Sequence, residues 1–589
     1  MRHHFRLLTG VLVAALAPIL CGSALAQQMP EDVPDHNLDS FEPVDFPDPN
    51  RYRNADGSPG RAYWQNEADY RIDVALDTAS NRVTGTETIT YTNNAPEALE
   101  RLWVQLEQNY FKLGSRGNMA VPDDARFSGF FDEAGYDLSN LRIQRGGETT
   151  TPDTLVDGTR MRVSLEEPLA AGDSLQFSFD FEYTLPKYGA DRHGRMKMED
   201  GTVYQFAQWY PRMYVYDDVH GWNPLPYLGQ GEYYLEYGTF NVNITVPRDM
   251  IVGATGRLQN PGDVLTETQR ERLDEARDSR ETVMIIDSTE VGTAKTRPSG
   301  EGRLTWEYEA DRVRDFAWAA SRAFIWDAAR ADAGDRTVLA QSLYPREGLG
   351  SSGWERSTEY TQHSVEFYSD FVAPYPYPNA INVAGRVAGM EYPQIVFCDV
   401  TSRGRSLFRV TDHEFGHTWF PMVVGSDERR WVWMDEGLNT FMNQYSALDF
   451  YGQGRVPPAK VMGGLSNYAT EMMGSPFSDQ PVMTYADRIR DDALGFLAYL
   501  KPGYGLMVLR EHVLGPERFD SAFQEYVDRW AYKHPKPADF FRTMENVSGE
   551  DLDWFWRSWF YETDVMDQAV DSVATGDTTR VTVAQNEEL

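Results

Sequence analysis

From residue 61 the chain alternates between apolar and polar positions. Ile72, Val74 and Leu76 are separated by polar residues, Ala79-Ser80-Asn81 reads as a turn, and Thr88-Ile89-Thr90-Tyr91 continues the period of two. Leu175, Phe177, Phe179, Phe181 and Tyr183 alternate with Gln, Ser, Asp and Glu, and Phe240, Val242, Ile244 and Val246 repeat the pattern. Such runs predict strands with one buried face, so residues 61–313 are expected to form an all-β domain, saddle- or sandwich-like. Residues 266–282 interrupt it with a charged, helix-like stretch expected to lie on the surface. From 314 the apolar spacing turns helical through Phe316, Ala319, Ala320 and Phe324. It stays mostly helical to 563 and closes on an aromatic helix over 551–560. The pattern therefore predicts a multidomain α+β chain, an N-terminal β domain followed by a mainly helical domain over 314–563.

The two ends read differently. Arg2 and Arg6 precede an apolar run from Leu7 to Leu20, and Ala24-Leu25-Ala26 supplies a small-x-small cleavage pattern, so residues 1–26 are expected to be a signal peptide and the protein to be exported, periplasmic or extracellular. Cys21 follows the bulky Leu20, which favours cleavage over lipid anchoring. Residues 27–60 are rich in Pro, Asp and Asn and read as an extended leader. At the other end, residues 579–584 alternate like a strand within a tail over 564–589. That strand is expected either to pair back onto the body or to start a further, truncated β domain.

Composition narrows the function. With 55 basic against 90 acidic residues the formal net charge is −35, which repels phosphate backbones and argues against nucleic-acid partners. No segment after the signal is apolar enough to span a membrane. After signal removal only Cys398 remains, so no intramolecular disulfide is expected. No P-loop, G-x-S-x-G or G-x-G-x-x-G pattern occurs. Asn243 and Asn546 begin N-x-[ST] patterns, which matter only in a glycosylating cell.

The chemistry concentrates between 385 and 505. His413-Glu414-Phe415-Gly416-His417 is H-E-x-x-H. On a helix, i and i+4 share a face, so both imidazoles can reach one metal, with Glu414 beside them as a base. Trp433-Met434-Asp435-Glu436-Gly437 follows a loop, with positions 418–435 between His417 and Glu436. A second helix starting there could return Glu436 as third ligand. Two His and one Glu, with a position left open, is the ligand set of a catalytic zinc. Trp419, Trp431 and Trp433 flank this segment and are read as core around it.

H-E-x-x-H, an eighteen-residue gap and W-[LM]-x-E-G together resemble the gluzincin zinc aminopeptidases, the aminopeptidase N and leukotriene-A4-hydrolase-like family. The resemblance spans about 61 to 563 and implies a thermolysin-like catalytic domain, one Zn2+ per chain and a peptide substrate with a free N-terminus. It departs at Asp435, where the family usually has Asn. Ala388-Gly389-Met390-Glu391-Tyr392 resembles the family's G-x-M-E-N loop. That implies substrate binding at Gly389, Met390 and Glu391, with Glu391 gripping the α-amino group and Tyr392 replacing Asn. Tyr499-Leu500-Lys501-Pro502-Gly503 resembles the context of the family's oxyanion-stabilising Tyr, with Tyr504 and Tyr485 as competitors. Gln205 or Gln208 could match the N-terminal domain's substrate contact. The same residues leave room for a zinc endopeptidase, a non-peptide hydrolase, or a catalytically silent binding scaffold. Oligomeric state and side-chain preference are not legible.

Overall fold

The computed structural model describes residues 43–120, 135–185, 192–452, 475–563, 568–576 and 578–585. The signal-like segment 1–26 and the first part of the leader lie outside the described residues. Two compact units are distinguished, Pro43–Val565 and a second one that includes Met566–Leu589.

In the larger unit the alternating runs become strands. Glu67–Asp77 lies between Arg82–Thr92 and Gly238–Pro247 in an eight-stranded sheet, with Ser174–Thr184 and Arg303–Val313 further out. Its register aligns one buried row across three strands: Tyr70, Ile89 and Phe177; Ile72, Glu87 and Phe179; Leu76, Val83 and Tyr183. Gly85 stands where this row needs room, because a Cβ there would come within 2.4 Å of the Phe181 ring. Two four-stranded sheets and a two-stranded one, Tyr216–Asp217 with Gly221–Trp222, complete the β region among the described residues. The insertion is a helix, Glu267–Asp278, closed by a capping box in which Thr266 and Gln269 satisfy each other's backbone N–H groups.

The helical reading from 314 is corrected. Trp318–Ser321 is a strand paired with Thr202–Phe206 and Ile251–Ala254. Ile325–Ala333 and Arg336–Tyr344 are strands of a six-stranded sheet that also holds Val283–Ile286, Asn379–Gly385, Ile395–Asp399 and, at its edge, Gly389–Tyr392. The reason is burial on both faces. Every residue of Trp318–Ser321 and of Asn379–Gly385 is buried, so no alternation survives and apolar residues fall at helix-like spacings by composition alone. The first long helix of this region starts at Ser357. Gly404–Gly416, Glu436–Gly452, Pro516–Trp530 and Pro537–Ser548 follow. The aromatic segment forms Asp553–Trp556 and a further wide turn over Arg557–Tyr561.

The described part of the leader, from Pro43, has no regular structure but is tied to the helices. Arg53 pairs with Asp218 and Asp539, and Trp530 Nε1 donates to the Gly57 carbonyl at 2.8 Å. The alternating tail segment is also not partnerless. Within the second unit Thr579–Gln585 pairs antiparallel with Gln568–Thr575, so a hairpin satisfies its backbone. Cys398 is a buried free thiol. Among the described residues no helix is long and apolar enough to cross a membrane.

Candidate active site

Helix Gly404–Gly416 turns Leu407, Phe408, Thr411 and Phe415 into the core. Asp412 fixes its rotation: Ser364 and Tyr368 of one neighbouring helix and Ser446 of another all donate hydroxyl hydrogen bonds to its carboxylate. His413 and His417 then emerge one turn apart, and Glu436 meets them as the first residue of its helix.

The three candidate ligand atoms converge. His413 Nε2 and His417 Nε2 are 3.2 Å apart, and Glu436 Oε2 lies 3.3 and 3.4 Å from them. Ligands at about 2.0–2.1 Å from a tetrahedral zinc sit about 3.3–3.4 Å from each other, so these spacings fit one ion. Glu436 Oε2 is buried and accepts no hydrogen bond, as a reserved ligand atom would be. Each imidazole is held through its far nitrogen. His413 Nδ1 donates to Asn443 Oδ1 at 2.8 Å, and Asn439 Nδ2 caps the His413 carbonyl at 2.8 Å. His417 Nδ1 donates to the Phe420 carbonyl at 2.9 Å, with Asp435 Oδ1 at 2.6 Å beside it. Another group of possible ligands, Asp217, His220 and Asp427, already contains a cation: Lys536 Nζ lies 2.8 and 3.1 Å from the two carboxylates.

Glu414 is almost fully buried beside the Gly389–Tyr392 strand. A Cβ on Gly389 would fall 2.7 Å from Glu414 Oε1, so the glycine lets the carboxylate lie against the backbone. Burial, reinforced by the nearby Glu391, pushes the Glu414 carboxyl up to about 8, with the histidines pulling the other way. Burial opposes ionisation of Glu436 too, but His417 and His413 hold it well below the usual carboxylate range.

Glu391 is buried, and burial raises its carboxyl. Along the strand its side chain alternates with that of Tyr392. The Tyr392 hydroxyl accepts from the Gln208 backbone N–H at 2.7 Å, so the phenol that replaces Asn docks onto the N-terminal β region. Met390 is core, and Gly389 is partly exposed. Gln205 Oε1 accepts from the backbone N–H of Arg386 and Val387, latching the loop before the strand. Gln208 Nε2 faces Glu232, which also pairs with Arg192.

The Tyr499 hydroxyl donates to Glu436 Oε1 at 2.6 Å, and its ring stacks 6.0 Å from that of His413. Burial and the Glu436 charge push the phenol far up, so it stays a donor. Of its competitors, Tyr504 packs on Trp559 and Tyr485 stands partly exposed against Trp431. Asp412, Asn439 and Asn443 escaped the sequence reading. Asn439 and Asn443 carry a detectable signal, since they fall three and seven residues after Glu436 on one helix face.

Residues 357–559 match the peptidase family M1 domain. Aminopeptidase M1-C of Oryza sativa subsp. japonica is 25% identical over 232 residues, 37% of this chain and 26% of that protein. Leucine aminopeptidase 2 of Neosartorya fischeri is 24% identical over 251 residues, 40% of each chain. The chain thus spans less than half the length of these curated relatives. Among solved structures, an M1 zinc metallopeptidase of Deinococcus radiodurans, in a mutant form bound to a Tyr-Ser-Ala substrate, superposes with a TM-score of 0.57 at 16% identity. That match covers 87% of this chain and 98% of the other, and shows a shared two-part fold.

Proposed function

From the premise that this chain carries a catalytic domain of the M1 peptidase family, we propose that it is a zinc-dependent aminopeptidase. The observation that carries the reading is the convergence of His413, His417 and Glu436 at zinc-ligand spacing, with the Glu436 oxygen left without a hydrogen bond. Zinc, when bound there, supplies a Lewis acid that polarises the scissile carbonyl and eases deprotonation of water.

The chain's own residues do the rest. Glu414, with a carboxyl raised toward neutrality, takes a proton from the attacking water and returns it to the leaving amine. Tyr499, whose hydroxyl donates to Glu436 Oε1 in the structure, turns that hydroxyl to the oxygen that gains charge. Glu391 pairs with the substrate's α-ammonium, and the closed end it creates limits cleavage to the first residue. Gly389–Tyr392 is the edge strand of its sheet; the Tyr233 hydroxyl already donates to the Glu391 carbonyl, so the partly exposed end at Gly389 is the part that suits an extended peptide. The signal-like pattern at residues 1–26 supports export through a cleavable leader, which amino-terminal sequencing of the protein from its host would check.

The test is metal content and turnover together. The expected result is one zinc per chain, cleavage of aminoacyl fluorogenic substrates, loss of that activity on chelation and its return with zinc. Full activity in zinc-free protein would refute the reading. Zinc without turnover of any aminoacyl substrate would favour a binding scaffold or another hydrolase.

A further inference from the structure

The two histidines are supported by different chemistry. His413 donates Nδ1–H to a neutral amide, Asn443, itself fixed by Asn439 and the Tyr368 hydroxyl. His417 donates to the Phe420 carbonyl, and beside that hydrogen bond sits the carboxylate of Asp435. Asp435 is completely buried. Neither of its oxygens meets hydrogen-bond geometry with a partner among the described residues, although Oδ1 stands 2.6 Å from His417 Nδ1. Glu391 crowds the same place: its carboxylate, His417 and Asp435 have atoms within 4.8 Å of one another.

A carboxylate sealed from water without hydrogen bonds is tolerated where positive charge compensates it. Among the described residues no Lys or Arg forms an ion pair with it. Among the described residues the imidazole of His417 is the group that can carry positive charge against it, and that ring's other nitrogen faces His413 and Glu436 at ligand spacing. Positive charge placed there is shared through the ring with Asp435.

We propose that Asp435 is a positioning residue that strengthens metal binding by its charge, through His417, while the Phe420 carbonyl alone sets the orientation of the ring. The inference rests on the zinc reading of the site and adds an asymmetry to it: His417 is the charge-supported ligand and His413 the neutral one. Buried groups behind metal ligands typically change affinity by about 10- to 100-fold when replaced.

The experiment titrates zinc into metal-free full-length protein against a chromophoric chelator, for the wild type, Asp435→Asn and Asp435→Ala. The melting temperature of each metal-free variant checks its fold, and the visible bands of the cobalt-loaded proteins report ligand geometry. Both neutral variants should bind zinc about 10- to 100-fold more weakly, and Asp435→Asn should keep the wild-type cobalt bands because Phe420 still holds the ring. Affinity of Asp435→Asn within about twofold of wild type, well short of that range, overturns the proposal. So does weakening confined to Asp435→Ala, which would make the effect one of packing; should Asp435→Asn not fold, an Asp435→Ala affinity equal to wild type overturns it as well. A wild-type protein that binds zinc tightly without aminopeptidase turnover would sink the proposed activity and leave this inference standing. A wild-type protein that takes up no zinc sinks both.

Discussion

The eight-stranded sheet and the candidate active site treat buried acid in opposite ways. In the sheet, Glu87 lies in the buried row between Ile72 and Phe179, and neither of its oxygens has a hydrogen-bond partner among the described residues. Burial alone raises its carboxyl. In the candidate active site Glu391, Glu414, Asp435 and Glu436 crowd around two histidines, and their carboxyls diverge, Glu414 rising to about 8 and Glu436 falling. An isolated buried acid is a cost to stability, whereas a cluster whose members are pushed apart supplies both a base and a ligand.

The widest separation between the regions should come from Glu414→Gln. It is not a ligand, so zinc content and melting temperature should hold while kcat falls about 100- to 10,000-fold. Metal analysis beside steady-state kinetics checks this, and near-wild-type turnover would remove Glu414 from the mechanism. Tyr499→Phe should lower kcat about 100- to 1000-fold with KM little changed, since its hydroxyl matters most when charge develops. If Tyr504→Phe shows the loss instead, the Tyr499 assignment is wrong. Glu391→Ala should lower kcat/KM for free peptides about 10- to 150-fold, as expected for a charge-assisted contact of about 1.5–3 kcal/mol.

The smallest effect belongs to the sheet, and it concerns stability alone. Folded Glu87 keeps its proton above the pH at which the unfolded chain releases it. Its contribution is therefore fully present below the ordinary glutamate range near 4.5 and is lost as pH rises toward the higher folded value. Glu87→Gln should flatten that decline and raise stability at pH 7–8 by about 1–3 kcal/mol, with kcat unchanged. Melting curves across pH 4–8 decide it; a parallel fall in both proteins would contradict it.

The same contrast explains what the sequence revealed. One-sided sheets write their burial into alternation, so Ile72 to Leu76 and Leu175 to Tyr183 could be read directly. Strands covered on both faces do not, which is why 318–344 resembled helix. The candidate ligand residues were legible because H-E-x-x-H fixes a helix face locally. Their supports were not: Asp412 and Asn443 meet partners 30 to 48 residues away in sequence, and Asp435, visible only as a departure, meets His417 in the folded chain. The Tyr392 departure was visible, but only the strand's pairing and the Gln208 contact show its side chain engaged with the β region. The partner of the tail strand was hidden in residues 568–575, whose alternation is weak.

In the proposed function Glu391 reads a free amino terminus beside the candidate metal site. The most direct measurement is a mass-spectrometric time course of zinc-loaded protein on one peptide in two forms, free and N-acetylated. Acetylation removes the positive charge and adds bulk where Glu391 waits. Stepwise loss of single residues from the free peptide and almost no cleavage of the acetylated one are expected, with Glu391→Ala discriminating far less between them. Efficient cleavage of the acetylated peptide at an internal bond would contradict it and make the protein an endopeptidase on the same frame.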